Sequence, residues 1–148
     1  MSTPAIPLPA RSFLSILGVH WDVFWTDLRP RLVELLGPVD YESVPIPFTK
    51  TSYYDRELGT PISRRILSSS RLLSMDDLPG VKLATNRLEE EWRRSGRRLF
   101  NLDPGYVTQE RLVLATGKNF THRVYLGRGI WTCPGPSRTT QPPRSRRT

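Results

Sequence analysis

Hydrophobic positions recur along the chain in blocks, and the spacing within each block suggests an element. Arg11 to Val19 (RSFLSILGV) is a short apolar run with a glycine near its end, which predicts a buried strand. Phe24, Leu28, Leu32, Leu35 and Leu36 follow at spacings of three and four, the signature of an amphipathic helix over about Asp22 to Leu36. Gly37-Pro38 ends it, while Pro30 within the pattern predicts a kink or a later start near Thr26. Val39 to Phe48 alternates partly and carries Pro45 and Pro47, which suits an edge strand. Thr49 to Gly59 is a polar, aromatic connection. Pro61 to Leu73 reads as a helix opened by its proline, with Ile62, Ile66, Leu67 and Leu73 inward.

Asp76 to Gly80 is a turn and helix start, after which Val81, Ala84, Leu88 and Trp92 mark one helical face that Gly96 closes. Arg97 to Leu102 predicts a short strand running into an Asp103-Pro104-Gly105 turn. Glu110 to Ala115 is too short for periodicity to separate helix from strand. Phe120 to Trp131 predicts a strand, a Gly127-Arg128-Gly129 turn and the start of another strand. Helices and strands mix without a βαβ order, so the expected class is α+β: one small domain with a mostly antiparallel sheet covered by helices. Its expected extent is residues 12–131, between a proline-rich disordered leader (1–11) and a disordered basic tail rich in Pro, Arg and Thr (132–148).

Composition narrows the class. A chain of 148 residues has room for one such domain, with one cysteine, Cys133, and so no internal disulfide. It holds no apolar run long enough to span a membrane and no signal-peptide layout at its start, so no membrane partner and a cytoplasmic address are expected. The net charge of +8 points to an anionic partner, but half of that excess is the four arginines of the last seventeen residues. The rest clusters at Arg64, Arg65, Arg93, Arg94, Arg97 and Arg98, which with Trp92 could grip phosphates and stack on bases, the alternative being a nucleic-acid or protein-binding module with an Arg-rich surface. The simpler reading of the second cluster is a solvated helix end whose arginines pair with Glu89, Glu90 and Glu91.

Several chemistries fail on spacing. Thr116-Gly117-Lys118-Asn119 resembles the end of a phosphate-binding loop, but Leu112 and Asn119 stand where that loop needs Gly and Ser or Thr. His20, His122 and Cys133 give no metal-ligand pair, and no cofactor motif is present. What remains is a dense polar group in the last third: Asn101, Asp103 and Tyr106, then Lys118, His122 and Arg123. His122 could move protons with Asp103 as its base or orienting group, while Tyr106, Lys118, Arg123 and Asn101 could hold an anionic small molecule. The predicted turn would bring Asp103 and Tyr106 to the sheet rim beside the Lys118–Arg123 segment. Strict alternation would admit only one of His122 and Arg123 to a shared pocket, and His122 is the expected one. Tyr53, Tyr54, Asp55 and Glu57 form a second cluster, read as a solvated connector with its tyrosines on the core.

Taken in order, LGPVDYES (Leu36–Ser43), YYDRELG (Tyr53–Gly59), the Leu83–Leu88 stretch, NLDPGYVT (Asn101–Thr108) and KNFTHRVYLGRGI (Lys118–Ile130) resemble the bacterial family called domain of unknown function 4416. The likeness runs from about Phe13 to Trp131. It implies one intact small domain and no established activity, cofactor or partner. Members of that family continue after the Gly-Ile pair with another apolar strand. Here Thr132-Cys133-Pro134 opens a tract that is expected to form no strand, as a shift of reading frame in mid-hairpin would leave, or a genuine basic tail. The shift of frame is the favoured reading, and it would take away the expected partner of the predicted Val124 strand.

Overall fold

The apolar run after Ala10 becomes the middle of a sheet because both of its faces find something to bury. A computed structural model describes residues 1–134, and its first strand, β1 (Ala10–Gly18), lies between β4 (Ser63–Leu73) and β5 (Phe100–Val107), antiparallel to both. Residues 1–9 are exposed and form neither helix nor strand. Around this trio the sheet runs β2 (Val39–Glu42), β4, β1, β5, β6 (Leu112–Thr116), β8 (Ile130–Pro134) and β7 (Val124–Gly127), with β3 (Ile46–Pro47) also on β4. Every pairing is antiparallel, and the α+β class expected from sequence is what the chain forms.

Helix α1 (Trp21–Leu36) covers one face, laying Phe24, Leu28, Leu32 and Leu36 on Leu14, Ile16, Leu67, Phe100 and Leu102. Pro30 neither ends nor delays this helix, which runs through it with Pro30 on the exposed side. Helix α3 (Leu78–Glu91), entered through a 3₁₀ turn at Met75–Asp77, packs on the same core through Leu88, while Trp92 just beyond it stacks on Phe100 at 5.8 Å between ring centroids. Its buried side is wider than the apolar spacing marks, since Val81, Leu88 and Trp92 do pack on the core and polar residues are buried beside them. Lys82, Thr85 and Glu89 are buried beside Leu78 and Leu88, whereas Val81 and Ala84 are half-buried.

Two further expectations are corrected. Pro61 to Leu73 is no helix: from Ser63 it is β4, the longest strand. Ile66 and Leu67 face opposite sides there, and three successive serines, poor helix residues, serve the neighbouring chain. Ser69 Oγ donates to the Leu36 carbonyl at 2.7 Å, closing the end of α1, and Ser68 Oγ donates to Asp40. Asp103-Pro104-Gly105 is no turn either, since β5 runs straight through it. Pro104 stands where pairing with β6 stops, the last pair being Gly105↔Leu114, so its missing N–H leaves no gap in that ladder. Gly105 is there for closeness: a Cβ on it would lie 2.3 Å from the Val113 carbonyl oxygen and 2.6 Å from the Phe13 ring.

The ambiguous Glu110–Ala115 run resolves as β6, and the glycine turn before Ile130 joins β7 to β8 with Arg128 and Gly129 at positive φ. Thr132, Cys133 and Pro134, expected to form no strand, complete β8 instead. They pair with Ala115, Leu114 and Val113, and the same strand supplies the missing partner of Val124. Thr suits a pleated position, and Pro134 is the strand's last residue, beyond the stretch that pairs with β7. The rest of the tract, residues 135–148, lies outside the described residues, together with the disorder and the reading-frame shift expected there.

Candidate functional site

The face of the sheet turned away from α1 supplies a floor. Alternation puts Phe13 and Ser15 of β1, Arg64 and Ile66 of β4, and Asn101 and Asp103 of β5 on that side. The registers then align Ile66, Ser15 and Asp103 in one row, with Arg64, Leu17 and Asn101 in the next.

Beyond β5 the sheet opens. β6 pairs with β5 only over Gly105–Val107, so the edge of β5 from Phe100 to Asp103 has no strand beside it. Helix α3 serves that edge with side chains. Lys82 Nζ donates to the Leu102 carbonyl and Glu89 accepts from the Leu102 N–H, both at 2.8 Å. Seven residues are two helical turns, so the two groups lie on one face of α3 and satisfy both polar groups of one strand residue.

Charges buried this deeply are tolerable only when paired. Lys82 reaches Asp103 Oδ1 at 3.2 Å, and Asn101 Nδ2 donates to Asp103 Oδ2 at 2.8 Å. Arg98 donates to Asn101 Oδ1 and to Glu89 Oε2, each at 2.8 Å, and grips the Glu57 carboxylate through Nε at 2.5 Å and Nη2 at 3.0 Å. Burial pushes the Glu89 carboxyl above the ordinary range despite Lys82, the Leu102 N–H and Arg98. The Arg98 hydrogen bonds hold Glu57 below it. Burial works against the charge of Arg98, yet Glu57 and Glu89 raise its pKa above the usual value. Burial also raises the Tyr54 phenol, helped by the charge of Asp103.

Over this floor lies a cavity of about 750 Å³. One wall is Tyr53 and Tyr54 from the connection before the short helix α2 (Asp55–Leu58); the other is Thr116 at the end of β6 with Lys118, Phe120 and Arg123 from the β6–β7 loop. Lys118 joins the two walls, hydrogen-bonding the Tyr53 hydroxyl and standing 3.8 Å over its ring. Arg123 donates to the Lys118 carbonyl at 2.8 Å and stacks on Phe120, as Arg64 stacks on Phe48. Among the described residues none of Arg64, Lys118 and Arg123 pairs with a carboxylate.

Four of the six residues singled out from sequence, Asn101, Asp103, Lys118 and Arg123, therefore line one cavity. The predicted convergence fails for the other two. Tyr106 points to the helix side and is buried with Leu78, Val113, Ala115 and Ile130, because β5 continues as a strand and alternation separates it from Asp103. His122 is exposed at φ 69° in a turn closed by the Arg123 N–H on the Phe120 carbonyl, and it does not line the cavity. Since this segment is a turn rather than a strand, Arg123 takes the inward place expected of His122.

Of the arginines of the polynucleotide reading, Arg93, Arg94 and Arg97 are exposed together in the turn after α3, and Arg64, Arg65 and Arg98 lie apart from them. Arg64 faces the cavity; Arg65 lies across the sheet, stacked on Trp21 and Trp25. Arg98 turns inward, and Arg93 pairs with Glu90, as the helix-end reading anticipated. Arg94 and Arg97 bridge to one another through their backbones. The sequence reading passed over Lys82, Glu89 and Ser15. A usable signal was present for the first two: Lys82, Thr85 and Glu89 recur at helical spacing on a helix with a core to cover.

An antiparallel α+β domain with a charged cavity on its open face is the class that fold and site define. The chain belongs to the family described as Domain of unknown function (DUF4416), whose profile matches residues 8–133. No curated protein and no solved structure matches it. No helix among the described residues is long and apolar enough to cross a membrane.

Proposed function

We propose that the cavity binds a small anionic molecule, a carboxylate or phosphate, with Lys118, Arg123 and Arg64 as its counter-charges. The observation that carries this reading is that these three cations line one cavity without a carboxylate partner among the described residues, while the other ionic groups of that cavity are mutually paired. Guanidinium and ammonium groups facing a recess suit an oxyanion, through charge-assisted hydrogen bonds. The reading is of binding rather than proton transfer, since both Asp103 oxygens already accept hydrogen bonds and the Lys82 that holds one of them also serves the Leu102 carbonyl. Asp103 and Asn101 position the floor. A cytoplasmic setting suits a chain whose single cysteine cannot close an internal disulfide. The separation of Arg65 and the inward Arg98 from the exposed Arg93, Arg94 and Arg97 supports a small ligand over a polynucleotide.

Calorimetric titration with inorganic phosphate and with acetate at low salt tests this. Saturable binding is expected, weakened about tenfold by Arg123→Gln, as the loss of one charge-assisted hydrogen bond implies. Binding unaltered by Arg123→Gln and Lys118→Gln contradicts the assignment. Polynucleotide binding with a steep salt dependence would favour the rival reading.

A further inference from the structure

We propose that the ligand of this cavity carries two anionic groups separated by an apolar segment, one seated on Ser15 and Arg64 and the other between Lys118 and Arg123. The inference rests on the reading above and narrows its ligand class.

Ser15 is 5% exposed, and its Oγ is buried without a hydrogen-bond partner among the described residues. Its cross-strand neighbours do not serve it. Ile66 is apolar, and both oxygens of Asp103 are engaged by Lys82 and Asn101. Arg64 Nε is likewise buried and unpartnered, with its guanidinium carbon over the Phe48 ring at 4.8 Å from the centroid. Arg64 lies two residues from Ile66 along β4, which makes it a diagonal neighbour of Ser15, within about 7–8 Å on the same face. A hydroxyl donor beside a guanidinium edge is an oxyanion seat, and both residues line the cavity. Arg65 Nε is also unpartnered, but it sits across the sheet between Trp21 and Trp25 with Glu42 3.8 Å from its Nη1, so no ligand is needed to account for it.

The second seat is some distance away. The order β4-β1-β5-β6 puts three strand steps between Arg64 and the strand that leads into Lys118, about 14 Å at roughly 4.8 Å per step. One carboxylate or phosphate does not contact all four side chains across that width. The surface between them carries Phe13, Ile66 and Leu114 and, on β5, Asn101 and Asp103, whose polar groups are already engaged by Arg98 and Lys82, which favours an apolar spacer over a chain of hydroxyls.

Calorimetry of the full chain with linear α,ω-dicarboxylates, succinate through suberate, against monocarboxylates of equal length and inorganic phosphate decides the matter. At least one dicarboxylate should bind about tenfold more tightly than its monocarboxylate. Ser15→Ala and Arg64→Gln should each remove most of that advantage, bringing the dicarboxylate down to the affinity of its monocarboxylate. Ser15→Ala deletes one buried atom and serves alone if Arg64→Gln lowers the thermal midpoint. Equal binding of the two series, or an advantage that survives both substitutions, overturns the two-anion inference. Equal binding that still depends on Arg123 leaves the single-anion reading standing; no binding by any probe removes both.

Discussion

Arg98 is the side chain on which the buried charges depend. It is the donor that Glu57, Glu89 and Asn101 share, and its own side chain is 18% exposed. Arg98→Met should therefore cost about 3 kcal/mol in urea unfolding, because it strands a buried carboxylate rather than merely deleting an ion pair. A loss below about 1 kcal/mol, as for an exposed pair, would mean that the network is screened by water. Glu57 and Glu89 respond oppositely to pH. The folded-state pKa of Glu57 is depressed below 4.5, so the folded state holds its proton less tightly than the unfolded chain. The stability Glu57 contributes is present above 4.5 and is lost as the pH falls through the depressed value. That of Glu89 is raised, so its contribution declines as the pH rises from 4.5 towards the raised value. The thermal midpoints of the protein and of Glu57→Gln, measured from pH 6 downward, should converge as Glu57 protonates; a constant gap would place the stabilising effect of Glu57 elsewhere. At this scale much of the site was legible. Asp103, Asn101, Lys118 and Arg123 stand out as a dense polar group in sequence and do line one cavity. Lys82 and Glu89 were hidden because their partner is a backbone edge, which a list of side chains does not display.

Elements show why turn chemistry misleads here. Asp-Pro-Gly is a strong turn signal, but β5 is held on one side by β1 along its whole length, and pairing outweighs local preference. The glycine instead lets β6 approach. Gly105→Ala should cost about 3 kcal/mol or more, since a Cβ would press on the Val113 carbonyl, a backbone atom that moves only with its strand, and on the Phe13 ring. Denaturant unfolding checks this, and an unchanged midpoint would show that β6 is loosely held. The same competition misplaced β4. Arg and Ser recur there without an apolar alternation, because the strand is half-buried on both faces between α1 and the cavity. Helix α1 and the β7–β8 hairpin were readable for the opposite reason, that one face of α1 and the glycine turn of the hairpin carry their own local signals.

In the whole molecule, α1 and α3 cover one face of the sheet, and on the other, beside α2, the split between β5 and β6 deepens the floor into a cavity. The polar network rigidifies the floor, while Tyr53 and Lys118 link the two walls above it. Mapping by backbone NMR tests this account most directly. Addition of inorganic phosphate at low salt should shift the amide signals of Ser15, Arg64, Lys118 and Arg123 saturably and leave those of Arg87, Arg94 and Arg111 still. Shifts spread over those exposed arginines without saturation would contradict the account, because they would show an anion that samples the charged surface and has no seat in the cavity.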